Sequence, residues 1–257
     1  MPLFDTIHPI FHALLATMVT WAFTALGASL VLVTRNARKT AMDAMLALGA
    51  GVMLASAFWS LLRPGAELAN ELQQCTWLII SGGFFLGAML PEIGERLLSR
   101  TEATDGARRT RQVVTAITLH NIPEGLAVGM AFGAYMAGVG TLQGAWMLAL
   151  GVAVQNFPEG AAVSLPLRRE GHSIRKSMFL GQLSGAVEPI AGVLGALLAS
   201  QVRTLLPFAL AFAAGAMVAV AATELIPESQ QGGKRALTTA MMAAGFALMT
   251  TLDIALG

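Results

Sequence analysis

The chain has 257 residues, of which 55% are hydrophobic and 12% are charged, whereas soluble domains average about 25% charged residues. Because the apolar excess runs along the whole chain, the composition indicates a polytopic membrane protein rather than a soluble domain. A net charge of +1 gives no reason to expect a nucleic-acid partner, and the single cysteine, Cys75, excludes an internal disulfide and a cysteine-rich metal site.

Apolar runs of about the 20 residues that a bilayer requires follow one another along the chain. The first run lacks the preceding basic residues of a signal peptide and is too long for one, so we interpret it as the first span. The sequence predicts an all-α integral membrane protein with eight transmembrane helices in one domain, 1–257. The predicted spans are 10–33, 41–62, 77–97, 112–136, 144–167, 176–199, 205–227 and 235–256.

Basic residues alternate between the loops. Fourteen of the 16 lysines and arginines lie in the loops after the first, third, fifth and seventh spans, and the opposite loops hold only Arg63 and Arg203. The positive-inside rule therefore predicts that both termini lie outside the cytoplasm. The longest cytoplasmic loop, at about residues 98–111, is rich in threonine and arginine and is expected to be a flexible linker.

A polar motif occurs twice inside predicted spans. His120-Asn-Ile-Pro-Glu-Gly on the fourth span recurs as Gln155-Asn-Phe-Pro-Glu-Gly on the fifth. A charged residue costs about 2.5–3.5 kcal/mol at the centre of a membrane helix. A lone polar residue often only joins two helices and a proline often only kinks one, but two matched copies at equal depth favour a site for something charged.

Helical geometry groups the polar side chains of each copy. At about 100° per residue, Glu124 lies about 40° from His120 and Asn121 about 100° from it, so one carboxylate can serve two ligand sets. If the two helices face each other, one site combines His120, Glu124, Gln155 and Glu159. An adjacent site combines Asn121, Glu124, Asn156 and Glu159, with both glutamates as bridges.

Prolines and a third carboxylate accompany the motifs. Pro123 and Pro158 remove the helical donors for two backbone carbonyls, those of Leu119 and Val154. Glu188 lies at the middle of the sixth span, level with the two motif glutamates. Three carboxylates at one depth require a counter-charge, which a divalent cation provides, or else protons that remove the repulsion. A mixed imidazole, carboxylate and carboxamide set suits a divalent transition ion better than Ca²⁺ or Mg²⁺.

These residues resemble the ZIP (Zrt/Irt-like) family of divalent-metal transporters. The resemblance rests on the two motifs, and Gln155 with Ser184-Gly-Ala-Val-Glu188-Pro is most similar to the prokaryotic GufA-like branch. It implies a 3+2+3 inverted-repeat bundle in the bacterial inner membrane, working as a homodimer that imports metal. It also implies a binuclear site between helices 4 and 5.

The resemblance also implies a ligand set. Its first site holds His120, Glu124, Gln155 and Glu159 with Met53, and its second holds Asn121, Asn156 and Glu188 with both bridging glutamates. Met53 is expected from sequence alone to be packing. Asn156 stands where this branch often has aspartate, and Thr223 precedes Glu224 where relatives often have histidine.

Other polar residues near the span ends are compatible both with a ligand role and with an ordinary structural or solvated one. His8 and His12, spaced i, i+4, are possible entrance ligands, although a solvated interfacial pair is the preferred interpretation. The possible exit ligands are Glu92, Glu95, Glu224 and Glu228, which equally suit ion pairs at helix ends. Ser184, one turn before Glu188, is expected to cap or orient that carboxylate.

The favoured function is a secondary transporter that carries Zn²⁺, or Cd²⁺, Fe²⁺, Mn²⁺ or Co²⁺, as its substrate. It has no catalytic cofactor, and no nucleotide-binding loop of the GxxxxGK[ST] type occurs in the chain. An intramembrane zinc hydrolase is the chief alternative, but such an enzyme requires a fixed, histidine-rich metal site with an open position for water. A carrier of an organic solute coupled to protons or alkali ions is the second.

Overall fold

The computed structural model describes residues 8–33, 39–93, 105–169, 171–201 and 203–256, and the side chains of residues 105–120 are not part of that description. All regular elements within these ranges are helical. Helix α1 is Pro9–Val33, α3 is Thr76–Ala88, α4 is Asp105–Met136, α5 is Leu142–Arg169 and α8 is Arg235–Leu256.

The remaining three helices change their winding along their length. Helix α2 runs through Lys39–Ser56, a π-helical turn at Ala57–Leu62 and Arg63–Glu71. Helix α6 runs through Ile174–Leu183, a 3-10 turn at Ser184–Val187 and Glu188–Gln201. Helix α7 runs through Leu206–Val220, a π-helical turn at Ala221–Leu225 and Ile226–Gln230.

In the described part of the chain, six helical segments are long and apolar enough to cross a membrane: α1, α2, α3 together with its continuation to Ile93, α6, α7 and α8. Helices α4 and α5 have 32 and 28 residues, but their polar motifs lower their mean hydropathy. The chain is therefore a multi-pass membrane protein, and the prediction of eight spans rests for the other two on their length and position.

Two boundaries differ from the sequence predictions. Helix α4 already begins at Asp105, so 105–111 is helix and not flexible linker, because Asp105 suits a helix N-terminus and the alanine and three arginines that follow favour helix. Residues 98–104 lie outside the described ranges. Helix α2 continues past residue 62 to Glu71. Pro64 lies in the first turn of its last segment, Arg63–Glu71, where proline is tolerated, and Arg63 pairs with Glu67 one turn on.

The helices associate mainly in four pairs: α1 with α5, α4 with α6, α2 with α8 and α3 with α7. Each pair has glycines at backbone contact, where a Cβ atom would lie about 2 Å from a carbonyl oxygen of the neighbouring helix. These glycines are Gly160, Gly129, Gly51, Gly245, Gly87 and Gly215. Without a hydrophobic force between helices in lipid, such close approach is a main source of association.

The motif helices lie at the centre of this packing. Helix α4 contacts α1, α5, α6 and α7, and α5 contacts α1, α2, α6 and α8. The largest buried cluster surrounds Phe132, Met53 and Leu148. The two polar motifs are therefore placed inside protein rather than against lipid, where irregular or polar groups are tolerated.

Candidate metal site

The two motif helices touch through their polar residues. The Gln155 side-chain amide on α5 donates a hydrogen bond of 2.5 Å to Glu124 Oε1 on α4. Gln155 is fully buried and Glu124 is 1% exposed. The contact brings together the glutamine and the glutamate that the sequence assigns to the first site.

A second cluster joins α5, α6 and α1. The Asn156 amide donates to both carboxylate oxygens of Glu188, each at 2.9 Å. It also lies 3.3 Å from the carbonyl oxygen of Thr20, and the Thr20 hydroxyl donates to Glu188 Oε2. All three residues are fully buried. Here the asparagine and the glutamate of the predicted second site meet.

The 3-10 turn before Glu188 makes room for its carboxylate. A Cβ atom on Gly185 would lie 2.9 Å from Glu188 Oε1 and 2.8 Å from the Thr24 hydroxyl. On the α4 side, a Cβ atom on Gly125 would lie 2.6 Å from the Glu188 carbonyl oxygen. Glycine at both positions lets α1, α4 and α6 converge on this carboxylate.

Glu159 has neither of its carboxylate oxygens hydrogen-bonded within the described residues, although it is only 6% exposed. Its negative charge repels that of Glu124 and that of Glu188. On its other side it is close enough to Glu224, in the π-helical turn of α7, to be repelled by it too. Glu159 thus connects the buried clusters electrostatically to Glu224, which is half-buried.

The site has an excess of hydrogen-bond acceptors. The oxygen atoms that lack a partner among the described groups are Glu124 Oε2, both Glu159 oxygens, Gln155 Oε1 and Asn156 Oδ1. These atoms have lone pairs and no proton to give, and a buried charge is costly unless it is paired or bound to a metal. The arrangement is chemically suited to a cation and unsuited to an anion.

Within the described side chains, no three histidine, cysteine or acidic groups converge closely enough to hold a metal. Amide groups separate the carboxylates, since Gln155 lies on Glu124 and Asn156 lies on Glu188. The imidazole of His120, which the sequence assigns to the first site, is outside the described side chains.

The other predicted ligands are spread over several environments. Asn121 is fully buried on the motif face of α4, and Met53 is fully buried in the large apolar cluster, where the expectation of packing places it. Glu92 and Glu228 are exposed, and Gln231 donates to Glu228. Glu95 lies outside the described residues.

The two histidines near the start of α1, His8 and His12, lie in different environments. His8 is exposed and its Nδ1 accepts from the Ile10 amide at 3.4 Å. His12 is 1% exposed, stacks on Phe132 and meets Trp146 edge-on, each with ring centroids 6.0 Å apart. Aromatic packing of α1 against α4 and α5 removes His12 from water, so the expectation of an interfacial pair is wrong for this residue.

The hydroxyl groups of Ser184 and Thr20 have roles that the sequence did not predict. Ser184 donates back to the Gly181 carbonyl oxygen at 2.8 Å, so it closes its own helical turn instead of orienting Glu188. That role belongs to Thr20, which sequence reasoning missed. The available signal was the spacing of Thr17, Thr20 and Thr24, which places three hydroxyls along one buried face of an otherwise apolar helix.

Known proteins resemble the chain over almost its full length. The family described as ZIP Zinc transporter matches residues 98–253. The chain is 37% identical to the zinc transporter GufA of Myxococcus xanthus, over 95% of the chain and 98% of that protein. It is 35% identical to the zinc transporter ZIP11 of Xenopus tropicalis, over 98% and 99% of the two chains. It is also 34% identical to the zinc transporter ZIPB of Bordetella bronchiseptica, over 96% and 82%. The chain belongs to the ZIP family.

Proposed function

We propose that this protein is a secondary transporter that imports divalent transition-metal ions, chiefly Zn²⁺, across a bacterial inner membrane towards the cytoplasm. The proposed substrate is the one for which the relatives are named, since they are zinc transporters of a vertebrate and of bacteria. Cd²⁺, Fe²⁺, Mn²⁺ and Co²⁺ are chemically plausible competitors at the same ligands.

One observation carries the proposal. Five side-chain oxygens from Glu124, Gln155, Asn156 and Glu159 are buried without a hydrogen-bond donor among the described groups. Glu188 lies beside them with its oxygens held by neutral amide and hydroxyl donors. A divalent cation supplies the counter-charge that the three carboxylates lack. When the amides of Gln155 and Asn156 move away, the carboxylate oxygens that they now contact become free to bind the cation.

We assign two adjacent binding positions bridged by Glu124 and Glu159. His120, Gln155 and Met53 complete the first, and Asn121, Asn156 and Glu188 complete the second. The contacts Gln155–Glu124 and Asn156–Glu188 support this division. We assign Glu224, whose charge acts on that of Glu159, to the exit from the site, with Glu92, Glu95 and Glu228 as further candidates there.

The helix pairing supports a 3+2+3 inverted repeat of eight spans. Exchanging α1–α3 with α6–α8 and α4 with α5 converts the α1–α5 contact into α6–α4 and the α2–α8 contact into α7–α3. Both α2 and α7 carry a π-helical turn, followed by Pro64 and Pro227 respectively. With the distribution of basic residues, this arrangement favours both termini outside the cytoplasm, and a homodimer is the expected assembly.

The chief alternative is an intramembrane zinc hydrolase. Such an enzyme retains its metal, commonly on three ligands with an open position for water. The alternating carboxylates and amides found here favour reversible binding, and the named relatives are transporters.

Uptake of ⁶⁵Zn²⁺ into proteoliposomes tests the proposal. We expect flux in the wild type and its loss in Glu124→Ala and in Glu159→Ala. The exposed Glu71→Ala provides the control, because Glu71 lies outside the site in an ion pair with Arg203. Tight metal retention without flux would favour the hydrolase, and full flux in both glutamate variants would contradict the proposed site.

The role of His120 is separable from that of the carboxylates. We expect His120→Ala to change the order of preference among Zn²⁺, Cd²⁺ and Mn²⁺ more than the maximal rate, because imidazole favours the borderline ions. Competition of each ion against ⁶⁵Zn²⁺ uptake measures this order, and an unchanged order would refute the assignment.

A further inference from the structure

A second polar region lies on the opposite side of the site from Glu224. It is a cavity of about 450 Å³ whose polar lining comprises Ser60, Arg63, Glu67, Thr141 and Asp253, with Trp59 beside them. Ala131 of α4 also lines this cavity and comes two turns after Glu124, which corresponds to a rise of about 10 Å. In the orientation proposed above, the cavity opens outside the cytoplasm.

Two carboxylates line the cavity, and they differ in their partners. Asp253 Oδ2, near the end of α8, accepts a hydrogen bond of 2.7 Å from the Ser60 hydroxyl. Glu67 Oε1 pairs with Arg63 Nε at 2.9 Å. The serine is neutral, so Asp253 has no direct ionic partner in that contact.

A single guanidinium acts on both carboxylates. Besides its bond to Glu67, Arg63 attracts the Asp253 carboxylate, and its Cζ atom lies 5.4 Å from the centre of the Trp59 ring. The ring and the salt bridge together hold the guanidinium over the cavity. Arginine keeps its charge at every physiological pH, so this positive charge is permanent.

We propose that Arg63 determines how strongly the outer cavity collects divalent cations, because it is a tethered cation that competes with the cargo for Glu67 and Asp253. The inference rests on the proposed transport function. A cavity lined by negative charge raises the local concentration of a cation and its rate of entry. Arg63 offsets one of the two negative charges, and its loss leaves both available.

We expect Arg63 to affect the capture of cations rather than the folding of the protein. The side chains of Arg63 and Glu67 are 55% and 65% exposed, and exposed ion pairs contribute little to stability. Neither residue touches the buried carboxylates of the candidate metal site in the described hydrogen bonds. A change at Arg63 is therefore expected to alter KM and leave the maximal rate unchanged.

Concentration dependence of ⁶⁵Zn²⁺ uptake by proteoliposomes tests the inference. For Arg63→Gln we expect KM to fall about two- to five-fold at an ionic strength near 10 mM, and by less than about two-fold near 150 mM, because salt screens charges beyond about 8 Å. Arg63→Lys keeps the charge and should retain the KM of the wild type. Glu67→Gln and Asp253→Asn should each raise KM at low ionic strength.

Arg203→Gln is the matched control, since Arg203 forms an ion pair of 2.6 Å with Glu71 and is not part of the cavity lining. For each variant we compare its KM with the KM of the wild type. If uptake persists but Arg63→Gln changes KM no more than Arg203→Gln does, or changes it equally at low and high salt, the inference is overturned. Absence of flux in the wild type would instead overturn the proposed function, and the inference with it.

Discussion

The Asn156 amide donates to both carboxylate oxygens of Glu188, at 2.9 Å each. The contact joins α5 to α6 through a neutral donor, so this cluster carries one negative charge fewer than a pair of acids would. An asparagine at this position therefore favours close packing of the two helices at the expense of attraction for a cation.

Asn156→Asp should reverse this balance. In the presence of a chelator, contact between two buried carboxylates should lower the free energy of unfolding by about 1–3 kcal/mol. Added Zn²⁺ should then raise the unfolding temperature by more than in the wild type, because the variant supplies another negative ligand. Thermal unfolding in detergent measures both effects. Asn70→Asp adds the same charge at the exposed Asn70–Thr76 contact, and an equal response there would contradict the prediction.

The Thr20 hydroxyl should matter for the position of Glu188 rather than for the packing of α1. Thr20→Val keeps the shape of the side chain but removes the donor to Glu188, and leaving a buried acceptor with one partner fewer costs about 1–3 kcal/mol. We expect a several-fold loss of uptake and a changed pH profile. Thr20→Ser should restore both, and failure of serine to rescue would show that the methyl group, not the hydroxyl, is required.

Gly160 should be intolerant of a side chain, because a Cβ atom there would lie 2.0 Å from the Thr24 carbonyl oxygen. Gly160→Ala must separate α1 from α5 at the depth of the site, and we expect poor folding and loss of uptake. Gly82→Ala on α3 provides the control, since no atom lies within 4 Å of the added methyl group. Size-exclusion profiles after detergent extraction distinguish the two, and similar profiles would contradict this account of the α1–α5 contact.

Metal binding should weaken as the pH falls. A carboxylate must be deprotonated to bind a cation, so protons compete with the metal at Glu124, Glu159 and Glu188. We expect the Kd for Zn²⁺ to rise between about pH 7.5 and about pH 5, and to rise less steeply in Glu159→Gln, which has one competing carboxylate fewer. Titration calorimetry in matched buffers measures both. A Kd that stays constant over this range would be inconsistent with carboxylate ligands.

The sequence located the motif helices and the polar residues that they bury together because each motif breaks a long apolar run, and polarity within such a run has few structural explanations. The contact between Gln155 and Glu124 follows from facing two matched helices. The burial of His12 could not be predicted from the i, i+4 spacing of His8 and His12. It results from contact with Phe132 and Trp146, which lie on other helices. Thr20 was missed for a related reason: threonine in a span is common, and only its partner on α6 reveals its role.

The wider turns of α2 and α7 give the molecule a mechanical property. A π-helical turn inserts one extra residue per turn and often occurs at functional positions, and here one contains Ser60 and the other Glu224. Each proline just beyond, Pro64 and Pro227, further weakens the local backbone hydrogen bonding. The two helices therefore share the same local irregularity, a π-helical turn followed by a proline, where a helix resists bending least. Bending at one turn would move Ser60 and bending at the other would move Glu224, so the surroundings of the buried carboxylates would change separately on the α2 side and on the α7 side.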